Sequence, residues 1–213
     1  ISFVSRYLAY ALYAMHTNSN ASFPHSVMKK EIITVAGVLG AGKSSTAKRL
    51  AKELGYQHFS SGDLFRQIAK ERGLSIEEIN KTAELEVSID HDTDERLRAL
   101  GKDERVIIDS RLAFHWIPAS FKVFLNLDMQ TAVERIFKQI ESEGRESQGT
   151  NSLEDLMETT RTRRNMELNR YKNLYQVDLA DLTPFDLVVA TAKPDLDGVV
   201  QIILERYRKF LAD

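Results

Sequence analysis

From residue 31 onward, short apolar runs alternate with longer stretches in which apolar residues recur every three or four positions. The runs are EIITVA (31–36), YQHFS (56–60), RVIID (105–109), KVFLNL (122–127) and FDLVVA (185–190). They are short and mostly β-branched or aromatic, as buried strands of a parallel sheet are. Between them, KSSTAKRLAKELG reads as a helix with Leu50 and Leu54 on its inner face and Gly55 as its stop. LEDLMETTRTRRNMELNRYKNLY (153–175) reads as a long, arginine-rich helix. Strands alternating with helices predict βαβ units, and so an α/β protein whose five-stranded parallel sheet is covered by helices on both faces in three layers. Ligands in such sheets sit at the carboxyl ends of the strands. Three of these ends carry polar residues: GVLGAGKSS after the first strand, SSGD (60–63) after the second and DSR (109–111) after the third.

Two regions read as mobile additions to that core. Residues 62–101 are helical and charged, interrupted at Gly73, and residues 141–151, ESEGRESQGTN, have the composition of a loop. Residues 1–27 do not match the rest. An apolar, tyrosine-rich YLAYALYAM (7–15) is followed by the polar HTNSNASFPHS (16–26). Too little basic charge precedes the apolar run for a signal peptide. Residues 1–27 are therefore expected to be an extension outside the core, with Met28 as the natural start of a single domain spanning 28–213; the alternatives are a targeting segment and a docked helix.

Composition narrows the partners. The chain has 213 residues, 43% hydrophobic and 28% charged, with a net charge of −2 and no cysteine. One domain of this length can bury a sizeable core. The balanced charge gives no general attraction to nucleic acid or to an anionic membrane. No apolar run reaches the roughly 18 residues that span a bilayer. Absence of cysteine fits a reducing compartment. The expectation is a monomeric, cytoplasmic protein that works on small molecules.

The chemistry starts at Gly37. From there to Ser44 the chain reads G-x-x-x-x-G-K-S. Gly40 and Gly42 are expected where a Cβ would clash, letting the backbone turn so that successive N–H groups point at one anion. Lys43 brings a positive charge to the outer phosphates, Ser44 offers a hydroxyl to Mg²⁺, and the helix that begins here adds the positive end of its dipole. A glycine-rich turn matching by chance would lack the strand before and the helix after, and both are present in the pattern. The loop implies a nucleoside triphosphate without saying what is done with it.

No nucleophile stands beside a base. That suits phosphoryl transfer, in which the protein mostly positions two ligands and neutralises charge. Arg66, Arg111, Arg135, Arg163, Arg164 and Arg170 are candidate clamps, because the planar guanidinium meets phosphate oxygens in pairs. Arg163, Glu167 and Arg170 also fit a solvated ion-pair ladder at helical spacing. Asp109 either sits near Mg²⁺ through a water or caps the next helix. Trp116 reads as core. A guanine-reading Asn-Lys-x-Asp motif is missing: the nearest string is NKTA (80–83). The Asp-Glu strand end of an ATPase motor is missing too, since VIIDSR has Ser110 after Asp109.

With these residues in place, the chain resembles the cytidylate kinases of the small archaeal type, within the P-loop nucleoside monophosphate kinases. The resemblance runs from about Glu31 to about Arg206. It rests on GVLGAGKSSTAKRLAKELGY, SSGDLFRQIAKERGLSIEEIN, IDHDTD, DSRLAFHW and RYKNLYQVDLADLTPFDLVVAT. It implies that Gly37, Gly40, Ala41, Gly42, Lys43, Ser44 and Ser45 hold the ATP phosphates and Mg²⁺. Gly62, Asp63 and Arg66 would belong to the acceptor site, with Arg66 and Arg111 on the acceptor phosphate. Arg135, Arg163 and Arg170 would be lid-side arginines closing over the transferring group. Asp90 and Asp94 would lie near the acceptor base. Four apart, they share a helix face, and either could accept from the N4 amino group of cytosine. The alternative is that both are solvated carboxylates. DSRLAFHW replaces an expected EGRLAGW, Arg164 and Asn165 stand where acidic residues are usual, and the loop 144–151 is longer. The implied reaction is ATP + CMP or dCMP ⇌ ADP + CDP or dCDP. The rivals are a P-loop kinase for adenylate, shikimate or dephospho-coenzyme A, and a module that binds ATP without turnover.

Overall fold

Strand β1 (Ile32–Gly37) is buried at every position, because it lies in the middle of a sheet with both faces covered. The structure is a computed structural model and describes residues 30–75, 78–79, 87–142 and 152–212. Alongside β1 run β2 (Gln57–Ser60), β3 (Val106–Asp109), β4 (Phe121–Asn126) and β5 (Leu187–Ala190), in the order β2-β3-β1-β4-β5. Every pairing is parallel. The five strands stand where the apolar runs put them, within two residues at each end.

Alternation along the strands decides which layer each side chain joins. Ile33 and Val35 of β1, Ile107 of β3 and Val123 and Leu125 of β4 face a core shared with Leu50 and Ala51 of α1 (Lys43–Leu54) and Val200, Ile203 and Tyr207 of α7 (Leu196–Ala212). On the opposite face, Ile32, Val106 and Ile108 pack on Leu97 of α3 (Val87–Leu100) and on Ala113 of α4 (Ala113–Trp116). Ala36 and Phe124 meet Leu112, Phe114 and Val177 beside them. The result is three layers, as expected. Thr34 is polar at the centre of β1, and it is satisfied there by the Ser120 hydroxyl at 3.1 Å.

The remaining helices carry the site. Ser60 ends β2 and caps α2 (Ser61–Glu71), its hydroxyl accepting from the Gly62 N–H at 3.2 Å. The interruption expected at Gly73 is present, with φ of 67°. α5 (Met129–Ser142) follows β4, and α6 (Leu153–Tyr175) covers the stretch expected for the arginine-rich helix. α6 fully buries only Leu156 and Thr160 and meets the core near its C-terminal end, where Tyr171 and Tyr175 are packed against the cluster of Ala36, Phe114 and Phe124. Of the expected loop 141–151, Glu141 and Ser142 instead continue α5 to its end, while residues 143–151 and the expected extension 1–27 lie outside the described residues.

Candidate active site

Turning the chain from β1 into α1 requires glycine for two different reasons. Gly37 has φ of 149°, and a Cβ there would lie 2.4 Å from the Leu125 carbonyl oxygen of β4. Gly42 has φ of 83° and forms the N-cap of α1, yet a Cβ there would meet nothing closer than 4.0 Å. The clash expected at Gly40 is present, against the Ala132 backbone of α5. At Gly42 it is the left-handed backbone, not crowding, that excludes a side chain. Ala41 packs into the core and is 3% exposed, which fixes the loop to the sheet. Ser45 is exposed in the first turn of α1. That turn has no side-chain cap, so its N–H groups face outward as an anion site does.

Lys43 lies over this loop, its Nζ donating to the Val38 carbonyl at 3.0 Å. Burial, and then the nearby Arg111 cation, pull its pKa down to about 8, while Asp109 and Glu167 oppose the shift. Ser44 Oγ donates to Asp109 Oδ2 at the end of β3. The neighbouring helix α4 has Leu112 as its N-cap, with no side-chain cap bond. The sequence left Asp109 between capping and the cation site; the structure puts it on Ser44. Two hard oxygen donors side by side suit Mg²⁺, which takes few protein ligands and completes its shell with phosphate and water. Among the described residues no group of three or more His, Cys, Asp or Glu gathers into a further metal site.

Arg111 is the pivot. It follows β3 and lines two adjacent clefts. One lies against the loop, with Gly37, Val38, Arg163, Arg164 and Glu167. The other is bordered by Ser61, Asp90, Asp94, Tyr171 and Tyr175. Arg111 Nη1 meets Glu167 Oε1 of α6 at 2.8 Å. Arg170, one turn further along α6, pairs with Asp90 of α3. The expected ladder of Arg163, Glu167 and Arg170 along one helix therefore does not describe Glu167 or Arg170. Both reach across to other elements instead. Arg163 and Arg164 are exposed on α6 where it faces the loop.

Other expected residues stand apart. Gly62, Asp63 and Arg66 occupy the first turns of α2, and the Arg66 guanidinium meets Asp63 at 2.5 Å on an exposed face. Arg135 is on α5, not α6. Its Nη2 donates to the Thr191 carbonyl at 2.7 Å and the Ala192 carbonyl at 3.3 Å, tying α5 to the segment after β5.

Asp90 and Asp94 share a face as their spacing requires, but their surroundings differ. Burial raises the Asp90 pKa and the Arg170 partner opposes it. Asp94 is 3% exposed. Burial pushes its pKa up to about 6, against the pull of Tyr175, Arg98 and Trp116. Trp116 Nε1 donates to Asp94 Oδ1 at 3.1 Å. Oδ2 is buried and has no hydrogen-bond partner among the described residues. Trp116, read from the sequence as core, does pack between two apolar clusters, and it also binds this carboxylate. Glu167, Trp116 and Ser61 are the site residues that sequence reasoning missed. The i,i+3 and i,i+4 pattern offered Glu167 a partner on its own helix and gave no sign of Arg111.

A family model described as an AAA domain matches residues 36–154. The cytidylate kinase of Methanothrix thermoacetophila is 37% identical over 177 residues, covering 83% of this chain and 98% of that protein. That of Haloquadratum walsbyi is 41% identical over 184 residues, covering 83% and 90%. Among solved structures, a shikimate kinase from Bacteroides thetaiotaomicron superposes with a TM-score of 0.59 at 18% identity, over 83% of this chain and 98% of that one. An uncharacterized protein from Eubacterium ventriosum gives 0.61 at 18% identity, over 85% and 98%. At such identity these structures attest the three-layer P-loop kinase fold and nothing finer. With the phosphate loop, the paired clefts and relatives matched over most of their length, the chain belongs to the cytidylate kinase family of P-loop nucleoside monophosphate kinases.

Proposed function

We propose that this protein transfers the γ-phosphoryl group of ATP to CMP or dCMP, giving ADP and CDP or dCDP. The observation that carries the proposal is the position of Arg111, which borders both the loop cleft and the acid-lined cleft. A protein that only binds ATP needs no guanidinium shared with a second cavity. A kinase does, because charge passes between two phosphates during transfer.

In this proposal Gly37 to Ser45 hold the ATP phosphates through backbone N–H groups, and Lys43 meets the outer phosphates. Ser44 and Asp109 would hold Mg²⁺, which when bound neutralises phosphate charge. Arg111 leaves Glu167 to bind the acceptor phosphate, a stronger and doubly charged partner. Arg163 on α6 covers the loop side. Arg170, held by Asp90, fixes α6 against α3 and so walls the acceptor cleft. Enclosure by α6 excludes water, which would otherwise take the phosphoryl group.

Between the two acidic candidates, Asp94 is the base reader. Asp90 is occupied by Arg170, whereas Asp94 keeps a buried oxygen without a hydrogen-bond partner among the described residues. Cytosine presents an amino group at N4 and can fill that acceptor. Uracil presents a carbonyl there and would leave two acceptors facing each other, a costly arrangement when buried.

The proposal is tested by following ADP formation from ATP with CMP, dCMP, UMP, AMP and shikimate in turn. CMP or dCMP should be used at least about tenfold better than UMP, with AMP poor. Preferred use of AMP or shikimate, or ADP formation independent of any acceptor, would refute it.

A further inference from the structure

Asp94 has two oxygens, and an acceptor site that discriminates must commit one of them. If both were open, the carboxylate could rotate or take a bridging water and tolerate either base. In the structure one oxygen is already committed. Trp116, on α4, donates its indole N–H to Oδ1 at 3.1 Å. The guanidinium of Arg98, one turn along α3 from Asp94, lies 3.7 Å from the centroid of the Trp116 ring. Tyr175 of α6 meets the same indole edge-on, with ring centroids 5.5 Å apart. The indole is thus held on two sides, and a cation over its face draws electron density from the ring and strengthens its N–H as a donor.

We propose that Trp116, clamped by Arg98, is a specificity-determining positioning residue: it ties down Asp94 Oδ1 so that Oδ2, buried beside the acceptor cleft and without a partner among the described residues, is left to accept from an exocyclic amino group of the base. The proposal rests on Asp94 being the base reader. It adds a residue that touches neither substrate nor phosphate but fixes the orientation of the one that does.

Charge around Asp94 supports the arrangement. On its own helix stand Asp90 and Arg98; α4 contributes the Trp116 N–H; α6 contributes Tyr171 and Tyr175; Arg111 enters from the end of β3. Burial outweighs the stabilising partners and leaves the pKa at about 6. Each donor to the carboxylate therefore lowers the pH at which it becomes a competent acceptor. Taking away the indole N–H should move that midpoint upward. Nucleoside monophosphates also titrate near pH 6 at the phosphate, so the readout has to be the ratio of kcat/KM for CMP to that for UMP, in which the phosphate cancels.

The test is Trp116→Phe, which keeps a ring in the apolar packing and removes the donor. The CMP-over-UMP ratio should fall at least about fivefold, through a higher KM for CMP with kcat within about twofold. The midpoint of the ratio against pH should rise. A purely structural role would depress CMP and UMP in parallel and leave ratio and midpoint where they were, which would overturn the proposal. Arg98→Met is the second variant, keeping the stem over the indole without its charge. It should lower the ratio by less than Trp116→Phe does, while the midpoint also rises because the Arg98 charge acts directly on the Asp94 carboxyl; an unchanged ratio would count against the clamp. Should the phenylalanine variant not fold, the protein's sole tryptophan still reports. Indole emission of the wild type should change on adding CMP but not with inorganic phosphate, and an emission blind to CMP would refute the contact. If the wild type ignores CMP altogether, the base-reader assignment has failed; if it prefers CMP and Trp116→Phe keeps that preference, only the present proposal has.

Discussion

The loop side of the site takes Gly37 through Ser45 from one uninterrupted stretch and fixes them with backbone. The acceptor side takes Ser61, Asp94, Arg111, Glu167 and Arg170 from four parts of the chain and fixes them with side-chain pairs. The contrast is physical. Against the loop, Leu125 and Ala132 come so close that a Cβ at Gly37 or Gly40 would overlap backbone atoms. Its shape is set by the sheet core and has little room to vary. Across the acceptor cleft, Arg111 with Glu167 and Arg170 with Asp90 are ion pairs between elements, half-buried at most positions. Such pairs add little stability, and in the proposed reaction Arg111 exchanges Glu167 for the acceptor phosphate. Turnover should therefore depend on the loop side and choice of acceptor on the other.

The sharpest way to break this division is Lys43→Ala. The side chain is tied only to the loop's own Val38 carbonyl and packs in none of the apolar clusters, so the variant should fold with little change in melting temperature. Turnover with CMP and with UMP should fall together, by about 10²-fold or more. Near-normal turnover, or a change in the CMP-over-UMP ratio, would show that the two sides are not separable.

A smaller effect separates two arginines of α6. Arg163 is exposed and borders the loop cleft, whereas Arg170 is paired with Asp90. Arg163→Ala should cost about tenfold in turnover with no loss of thermal stability. Arg170→Ala should raise the KM for CMP and also lower stability by about 1 kcal/mol, since it leaves Asp90 without its partner. Comparing kinetics and melting curves on both variants decides the point. Equal stability losses would mean that α6 is held by something other than the Asp90 pair.

pH gives a finer probe of the loop side. A lysine with pKa near 8 loses its charge as pH rises through that value. kcat/KM for ATP reports the free enzyme, so it should be flat near neutrality and decline above about pH 8. Lys43→Arg should abolish the decline, because a guanidinium stays charged throughout. The smallest expected effect is none. Every described residue of the site lies after residue 30, so a chain shortened to begin at Met28 should keep its activity and solubility. Loss of either would make residues 1–27 part of the working structure.

The fold and the phosphate loop were legible for the same reason. Strand alternation and G-x-x-x-x-G-K-S are local patterns, and local patterns can be read without knowing which elements meet. Leu50 points into the core and Gly55 stops α1, as the sequence indicates. The acceptor side was legible only as residue types. The sequence offered Arg170 a partner three residues away on its own helix, and the structure gives it one 80 residues away. Asp90 and Asp94 look alike in sequence, and only their surroundings separate a carboxylate clamped by Arg170 from one with a buried oxygen that has no partner among the described residues. Arg66 and Arg135 show the converse. Guanidinium chemistry and the resemblance named them as phosphate clamps, and the structure shows partners that the sequence did not indicate, Asp63 for one and the carbonyls after β5 for the other. Pairing between distant elements is what a single sequence leaves unwritten.

The division between turnover and choice is tested most directly by Asp94→Asn, assayed with CMP and UMP at saturating ATP. The indole N–H of Trp116 would hold the amide oxygen, turning the amide NH₂ toward the base, where it meets the uracil carbonyl better than the cytosine amino group. The CMP-over-UMP ratio of kcat/KM should fall by at least about tenfold while the KM for ATP stays unchanged. A ratio that survives the substitution, or a parallel loss for both acceptors together with weaker ATP binding, would contradict the account.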